Sequence, residues 1–388
     1  MGAEGTEGGA LTAREVEYWR REFPALADTI HVANCSHSPQ SRRVRAALDG
    51  YLDGWRDRIM DWEAWMAEVE GVRAAFARLI GARSEEVAIS TSASAATASI
   101  ASALTPDGSR RRVITTDAEF PTVAHVWLAH RRHGFEVEFV PLRDGGWIEP
   151  RDYDTRLDER TLLVSATHVY YQNGFRQDLR PIADRVHDVG ALLFVDAYQS
   201  LGTRRVDVRE SGVDILVGGA LKYLLGIPGI AFIYVRDALI ERLRPTLTGW
   251  FGRADPFAFE PRVLDYAPDA RRLETGTPPV FAAAAARAGL EIIEEVGTPR
   301  IEKRLRDLSR HALQAARARD LEVAGPEAVE RRGGITAIRL PDPPTVERRL
   351  RQRGIVASAR GDVIRVAPHF FNTTEELDGA MEAIAAHA

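Results

Sequence analysis

A single cysteine, Cys35, stands in 388 residues, which excludes an intrachain disulfide framework and any cysteine-based metal cluster. No Lys/Arg block or basic stripe interrupts a chain whose formal net charge is −5, so nothing marks a nucleic-acid partner. No apolar run approaches the roughly 18 residues that a membrane-spanning helix needs. The opening MGAEGTEGGALTAREVEYWRREF lacks both a basic start and an apolar stretch, so it does not read as a secretory leader. A cytoplasmic location is the expectation, with Met1 to Gly9 as a loose tail. Neither internal repeat nor low-complexity linker is present, and nothing in the pattern calls for a metal. With 45% hydrophobic residues, the chain is long enough to bury two cores.

Within those limits the apolar pattern is informative. Thr12 to Phe23 reads as a helix capped by Thr12 and stopped by Pro24, followed by a short strand, TIHVAN. Val44, Leu48 and Leu52 recur at helical spacing, so one helical stretch is expected from Ser41 to about Leu79. Beyond VAIS, the runs RRVITTD, FEVEFVPL, TLLVSATHV, ALLFVDAY, ILVGGA and IAFIYV are short and β-branched. Most alternate with helical segments such as PTVAHVWLAHRRHG and LRPIADRVHDVG. That alternation predicts βαβ units in a mainly parallel sheet covered on both faces, an α/β protein. An irregular stretch runs from Trp250 to Pro279. Helices follow at Val280 to Val296 and near Ile301 to Arg319, then a small α+β tail.

The chemistry concentrates in FVDAYQSLGTRRVDVRESGVDILVGGALKYLLGIPGIAFIYV. One apolar strand ends in Asp196 and Gln199; a second ends in a small-residue turn carrying Lys222. Ligands of open α/β sheets sit at the carboxyl ends of strands. An aldehyde cofactor needs a lysine amine that gives up its proton easily, which burial achieves. A pyridine ring acts as an electron sink only while its nitrogen stays protonated, which a buried carboxylate such as Asp196 enforces. Gln199 is placed to hold the ring's phenolic oxygen. A phosphate needs backbone N–H groups at a helix start, and STSASAATAS opens a helix after VAIS.

These residues resemble the class V aminotransferase group of fold-type I pyridoxal-phosphate (PLP) enzymes. KYLLGIPGIAFIYV, GWFGRADPFAFEP and ETGTPPVFAAAAARAGLEII are similar to kynureninases across roughly 218–296, with cysteine desulfurase and isopenicillin N epimerase-like features elsewhere. The resemblance implies a large PLP-binding domain over 61–253. It also implies a small lobe built from 1–60 and 254–388, and a homodimer with a shared active site. Lys222 becomes the Schiff-base lysine and Asp196 the partner of the pyridine nitrogen. Phe120 stacks on the ring, and Ser92, Ala93 and Ser94 cradle the phosphate. Trp250 and Thr277 complete the phosphate site, partly from the second subunit, and Arg365 pairs with the substrate carboxylate through its planar fork.

The chain also departs from that pattern. Gln199 stands where kynureninases carry histidine, as in desulfurases, and Leu221 replaces a phosphate-binding Tyr or His, so one phosphate ligand must come from elsewhere. Tyr171 stands where many relatives have asparagine, and Asn34-Cys35-Ser36-His37 replaces an Asn-Ser-Leu-Gly turn. Asn34, His37 and Tyr171 are therefore the expected substrate contacts beside Arg365. Cys35 reads as a small buried residue, since a desulfurase thiol lies late in the chain. The expected activity is a lyase cleaving the Cβ–S or Cβ–C bond of a β-substituted amino acid such as an S-substituted cysteine, in secondary metabolism. Kynureninase, aminotransferase, epimerase and decarboxylase chemistry are the alternatives, and a non-catalytic binding protein is the reading from another class.

Overall fold

Thr12 starts the first helix, Ala13–Arg20, through reciprocal capping: its hydroxyl accepts from the Glu15 N–H while the Glu15 carboxylate accepts from the Thr12 N–H at 2.8 Å. The computed structural model describes residues 9–387, so the expected tail lies outside the described residues save Gly9. A two-residue strand, β1 (Ile30–His31), pairs in parallel with Ile355–Val356 and ties the chain's beginning to its last third. The expected single helix from Ser41 to Leu79 is corrected to two, Arg42–Arg58 and Trp62–Leu79. Ile59 turns to φ 64°, a left-handed conformation that ends the first helix. The Asp61 carboxylate then accepts from the Ala64 N–H at 3.0 Å and restarts the second.

Seven strands form the central sheet: β2 (Val87–Ser90), β3 (Arg112–Thr116), β4 (Glu136–Val140), β5 (Thr161–Thr167), β6 (Leu192–Asp196), β7 (Ile215–Gly219) and β8 (Ala231–Val235). Their order is β2-β8-β7-β6-β5-β3-β4. β3 to β7 pair in parallel, and β8 alone runs antiparallel to both of its neighbours. The central strands are buried on both faces, which is why they read as unbroken apolar runs. This is the mainly parallel α/β architecture of fold-type I PLP enzymes. Thr167, Asp196 and Gly219 end three adjacent strands at one rim of the sheet, and Lys222 follows three residues later.

The C-terminal third supplies β9 (Val323–Ala324), β10 (Thr336–Arg339), β11 (Ile355–Val356), β12 (Ser358–Arg360) and β13 (Val363–Val366). Four of these form an antiparallel sheet in the order β12-β13-β10-β9. The alanine-rich helix Val280–Val296 enters two cores. Val280, Ala283, Ala286 and Leu290 pack with the large sheet, while Ile292, Ile293 and Val296 join the core of the smaller one. Each large aliphatic side chain buried this way contributes roughly 1.5–3 kcal/mol, so the helix ties the two sheets firmly together. Among the described residues no helix is long and apolar enough to cross a membrane.

Candidate active site

The turn after β7 is held from several sides. Leu225, at φ 63°, donates its N–H to the Lys222 carbonyl at 3.0 Å, and Gly226 N–H reaches the Ala220 carbonyl at 2.9 Å. The Ser38 hydroxyl donates to the same Lys222 carbonyl at 2.8 Å. The lysine side chain is thereby aimed across the strand ends, with Nζ 4.1 Å from the ring centre of Tyr198 and 5.7 Å from that of Phe120. Burial lowers its pKa to about 8, against an opposing pull from Asp196. The amine is thus partly neutral near pH 8, as a nucleophile toward an aldehyde must be.

Asp196 is buried at the end of β6, and its Oδ1 accepts from the Tyr198 N–H at 2.8 Å. Burial raises its pKa, while that hydrogen bond and Lys222 hold it down. A second buried carboxyl, Glu119, accepts from Thr167 Oγ1 at 2.6 Å and from Ser165 Oγ at 3.4 Å. Burial and the negative charge of Asp196 push the pKa of Glu119 up to about 8. With its pKa near 8, Glu119 is mainly protonated at neutral pH and adds little negative charge beside Asp196.

A cavity of about 260 Å³ opens over these strand ends. It gathers Ser92, Ala93, Ser94, Phe120, Tyr171, Asp196, Gln199 and Lys222 from five separate segments of the sequence. Ser92 caps the helix Ala93–Ala103, its hydroxyl accepting from the Ala95 N–H at 3.1 Å, and Ser94 donates to Thr122 at 3.3 Å. The free N–H groups of that helix start favour an anion. Phe120 lies edge-to-face against Tyr171, ring centres 5.2 Å apart. Gln199 donates Nε2 to the Cys35 carbonyl at 3.0 Å, and its Oε1 is buried without a partner among the described residues. The Nε2 donor that the resemblance implies for a phenolic oxygen is thus engaged by a main-chain carbonyl. A buried amine of lowered pKa, a buried carboxylate at the next strand end and helix-start donors together fit PLP.

Five of the expected residues lie outside the cavity wall. Arg365, on β13, is 2% exposed, which removes the alternative of a surface ion pair. Its guanidinium donates to the Tyr171 carbonyl at 2.8 Å, Ser36 Oγ at 2.9 Å and Ser358 Oγ at 2.7 Å. It forms no ion pair among the described residues, and its charge is felt at Lys222 and Tyr171. Asn34 has both ends of its amide engaged, Nδ2 by the Ala367 carbonyl and Oδ1 by the Ser38 hydroxyl, each at 2.9 Å. It therefore positions the loop that supports Lys222. His37 is exposed, and its carbonyl bonds His31 Nε2. Thr277 is exposed too, and Trp250 belongs to an aromatic group with Trp62, Phe251, Phe257 and Phe259.

Two residues of the site escaped the sequence reading. Glu119 precedes Phe120 in DAEFPT, and Tyr198 lies between Asp196 and Gln199 in DAYQ. A further signal was available: the chain holds two lysines, Lys222 and Lys303, so all but two of its 51 basic residues are arginine. Lys303 is a surface residue paired with Asp307 at 3.5 Å, which leaves Lys222 as the buried amine.

The family described as Aminotransferase class-V matches residues 51–375. An uncharacterized aminotransferase, YcbU, of Bacillus subtilis is 39% identical across 95% of this chain and 97% of its own. The kynureninase of Deinococcus radiodurans is 32% identical, covering 92% of this chain and 89% of the relative. Among solved structures, a cysteine desulfurase from Thermococcus onnurineus superimposes with a TM-score of 0.86 at 22% identity, covering 98% of both chains. A cystine C–S lyase, C-DES, in complex with cysteine persulfide, superimposes with 0.86 at 18% identity over 94% of this chain and all of its own. The two structural likenesses concern the fold, while the sequence matches span nearly the whole chain: it belongs to the class V aminotransferase family of PLP-dependent enzymes.

Proposed function

We propose that the protein is a PLP-dependent lyase that cleaves the Cβ–S or Cβ–C bond of a β-substituted amino acid, foremost an S-substituted cysteine, and that it works as a homodimer. The observation that carries the amino-acid part is Arg365. A guanidinium buried among neutral oxygens, with no carboxylate opposite it, lacks the partner that would offset its desolvation. The α-carboxylate of a substrate would supply that partner by taking the place of the Ser36 and Ser358 hydroxyls on the fork.

Bound PLP supplies an electron sink for charge that develops at Cα. The chain's own residues do the rest. Asp196 keeps a proton at the ring nitrogen, and the helix start at Ser92–Ser94 anchors the phosphate. Lys222, with its pKa lowered to about 8, takes the Cα proton and can return it. A sulfur leaving group on Cβ would depart with the electron pair of the Cβ–S bond as that charge is released and take up a proton as a thiol. Cleaving Cβ from a carbonyl carbon would instead consume a water, whose oxygen leaves on the carbonyl as a carboxylate. Phe120, Val169 and Tyr171 give the cavity an apolar side suited to a thioether or aryl substituent. Among the relatives, a cystine C–S lyase supports this reading by name, the Deinococcus radiodurans protein is named a kynureninase, and YcbU is named an aminotransferase.

Incubation of the PLP-loaded enzyme with S-substituted cysteines, kynurenine and simple amino acids, read by mass spectrometry, tests the reading. Release of a thiol or of a Cβ–C cleavage product is expected. Transfer of the amino group to a 2-oxo acid with the side chain intact would replace the lyase by an aminotransferase. An inverted or decarboxylated product would name those reactions instead, and no product from any substrate would favour a binding protein.

A further inference from the structure

Leu221, beside Lys222, offers no polar side-chain atom to a phosphate, and position 219 offers no side chain at all. The backbone does not require glycine at 219. Gly219 ends β7 in regular register with Ala231 and has no left-handed φ. Tyr198 does require it. A Cβ on Gly219 would lie 2.5 Å from the Tyr198 hydroxyl and 2.6 Å from ring atoms Cε2 and Cζ. The phenol fills the space over the end of β7 that a side chain at 219 would otherwise take.

A phenol hydroxyl can donate as well as accept, so its proton is available to an anion held in the cavity. The ring stands 4.1 Å from Lys222 Nζ and shares one cavity with Ser92 and Ser94. That cavity has no arginine or histidine side chain in its wall, and the amine of Lys222 is reserved for the cofactor's aldehyde. Within this wall the phosphate is left to neutral donors.

Resting on the reading that this cavity takes PLP, we propose that Tyr198 donates its hydroxyl to the cofactor phosphate, in place of the side chains missing at Gly219 and Leu221. The phosphate ligand absent from the turn before Lys222 is returned by the turn after β6.

The test compares two cofactors that differ only in the phosphate. Apoenzyme and Tyr198→Phe are titrated with PLP and with pyridoxal, following the visible absorption of the lysine-linked form. Loss of one charge-assisted hydrogen bond predicts PLP binding weaker by roughly 10- to 100-fold, with pyridoxal binding unchanged. Equal PLP affinity in the two proteins would overturn the inference, as would equal losses for PLP and pyridoxal, which would make Tyr198 a ring-packing residue. Should the phenylalanine protein fail to fold, Tyr198→Ala is compared with the double variant Y198A/G219S, whose serine hydroxyl enters the vacated space. Recovery of PLP over pyridoxal affinity supports the assignment, and no recovery overturns it. Absence of the absorption band in the wild type would remove the cofactor reading and this inference with it, whereas an intact band with unchanged Y198F affinity removes this inference alone.

Discussion

The cavity at the strand ends and the irregular stretch from Trp250 to Thr277 differ in how their side chains are covered. Around Lys222 the wall gathers side chains from several segments of the sequence, and the turns are tied by backbone hydrogen bonds. Around Trp250 the side chains are aromatic and apolar yet face outward: Phe259 is 72% exposed, and Leu264, Phe257 and nearby Ile59 and Met60 are also uncovered. Exposed apolar side chains clustered this way mark a surface that covers something. The homodimer proposal places a second copy over that surface.

Removing the centre has the largest expected effect. Lys222→Ala is expected to abolish turnover and the visible absorption of the lysine-linked cofactor, though PLP can still be held by its phosphate. Borohydride reduction of the wild type, followed by peptide mapping, is the direct check. A phosphopyridoxyl label on Lys303 would break the assignment. Asp196→Asn is expected to leave the fold intact and slow proton abstraction on the order of 100-fold or more, since a neutral amide no longer holds the ring nitrogen protonated. Single-turnover kinetics would read it, and near-wild-type rates would hand that role to Glu119.

Arg365→Lys keeps the charge and loses the fork. Spectral titration with an amino acid should show binding weaker by roughly 10-fold or more, with the resting spectrum unchanged. Equal binding in both proteins would move the carboxylate site to the Asn34–His37 turn. On the other side of the comparison, Phe259→Asp places a charge on the exposed aromatic surface at a left-handed position that Asp tolerates. It is expected to shift the protein to monomers in sedimentation, with PLP affinity lower by about 10-fold. A dimer of unchanged affinity would show that the aromatic surface has another use.

The smallest expected effect concerns Glu119. Its folded pKa, about 8, lies above the ordinary 4.5, so the folded state binds the extra proton between those values. Its contribution to stability is full below pH 4.5 and fades as pH rises through 8. Glu119→Gln should remove that slope, changing the difference in melting temperature between pH 5 and pH 8 by on the order of 2 °C. An unchanged slope would locate the proton elsewhere.

The parallel sheet was legible because burial on both faces forces apolar runs such as ALLFVDAY, and its helices alternate at regular spacing. The break at Ile59 was not, because apolar spacing continues across it and only a backbone angle and the Asp61 cap interrupt the helix. Lys222 and Asp196 could be placed from strand ends and resemblance. The burial of Arg365 could not, since alternation along a strand says which face a residue takes and not what covers that face. Tyr198 was hidden for a different reason: its role is written at Gly219, in another strand, as a missing side chain.

The scarcity of lysine reaches beyond the active site. PLP is a reactive aldehyde, and free amines on a protein surface condense with it indiscriminately, whereas guanidinium groups with their fixed protonation do not compete as amines do. A chain that carries its surface positive charge as arginine, with Lys303 the one other side-chain amine and that one paired with Asp307, presents few decoys to its own cofactor. Chemoselectivity is then achieved partly by subtraction, at positions far from the residue that benefits.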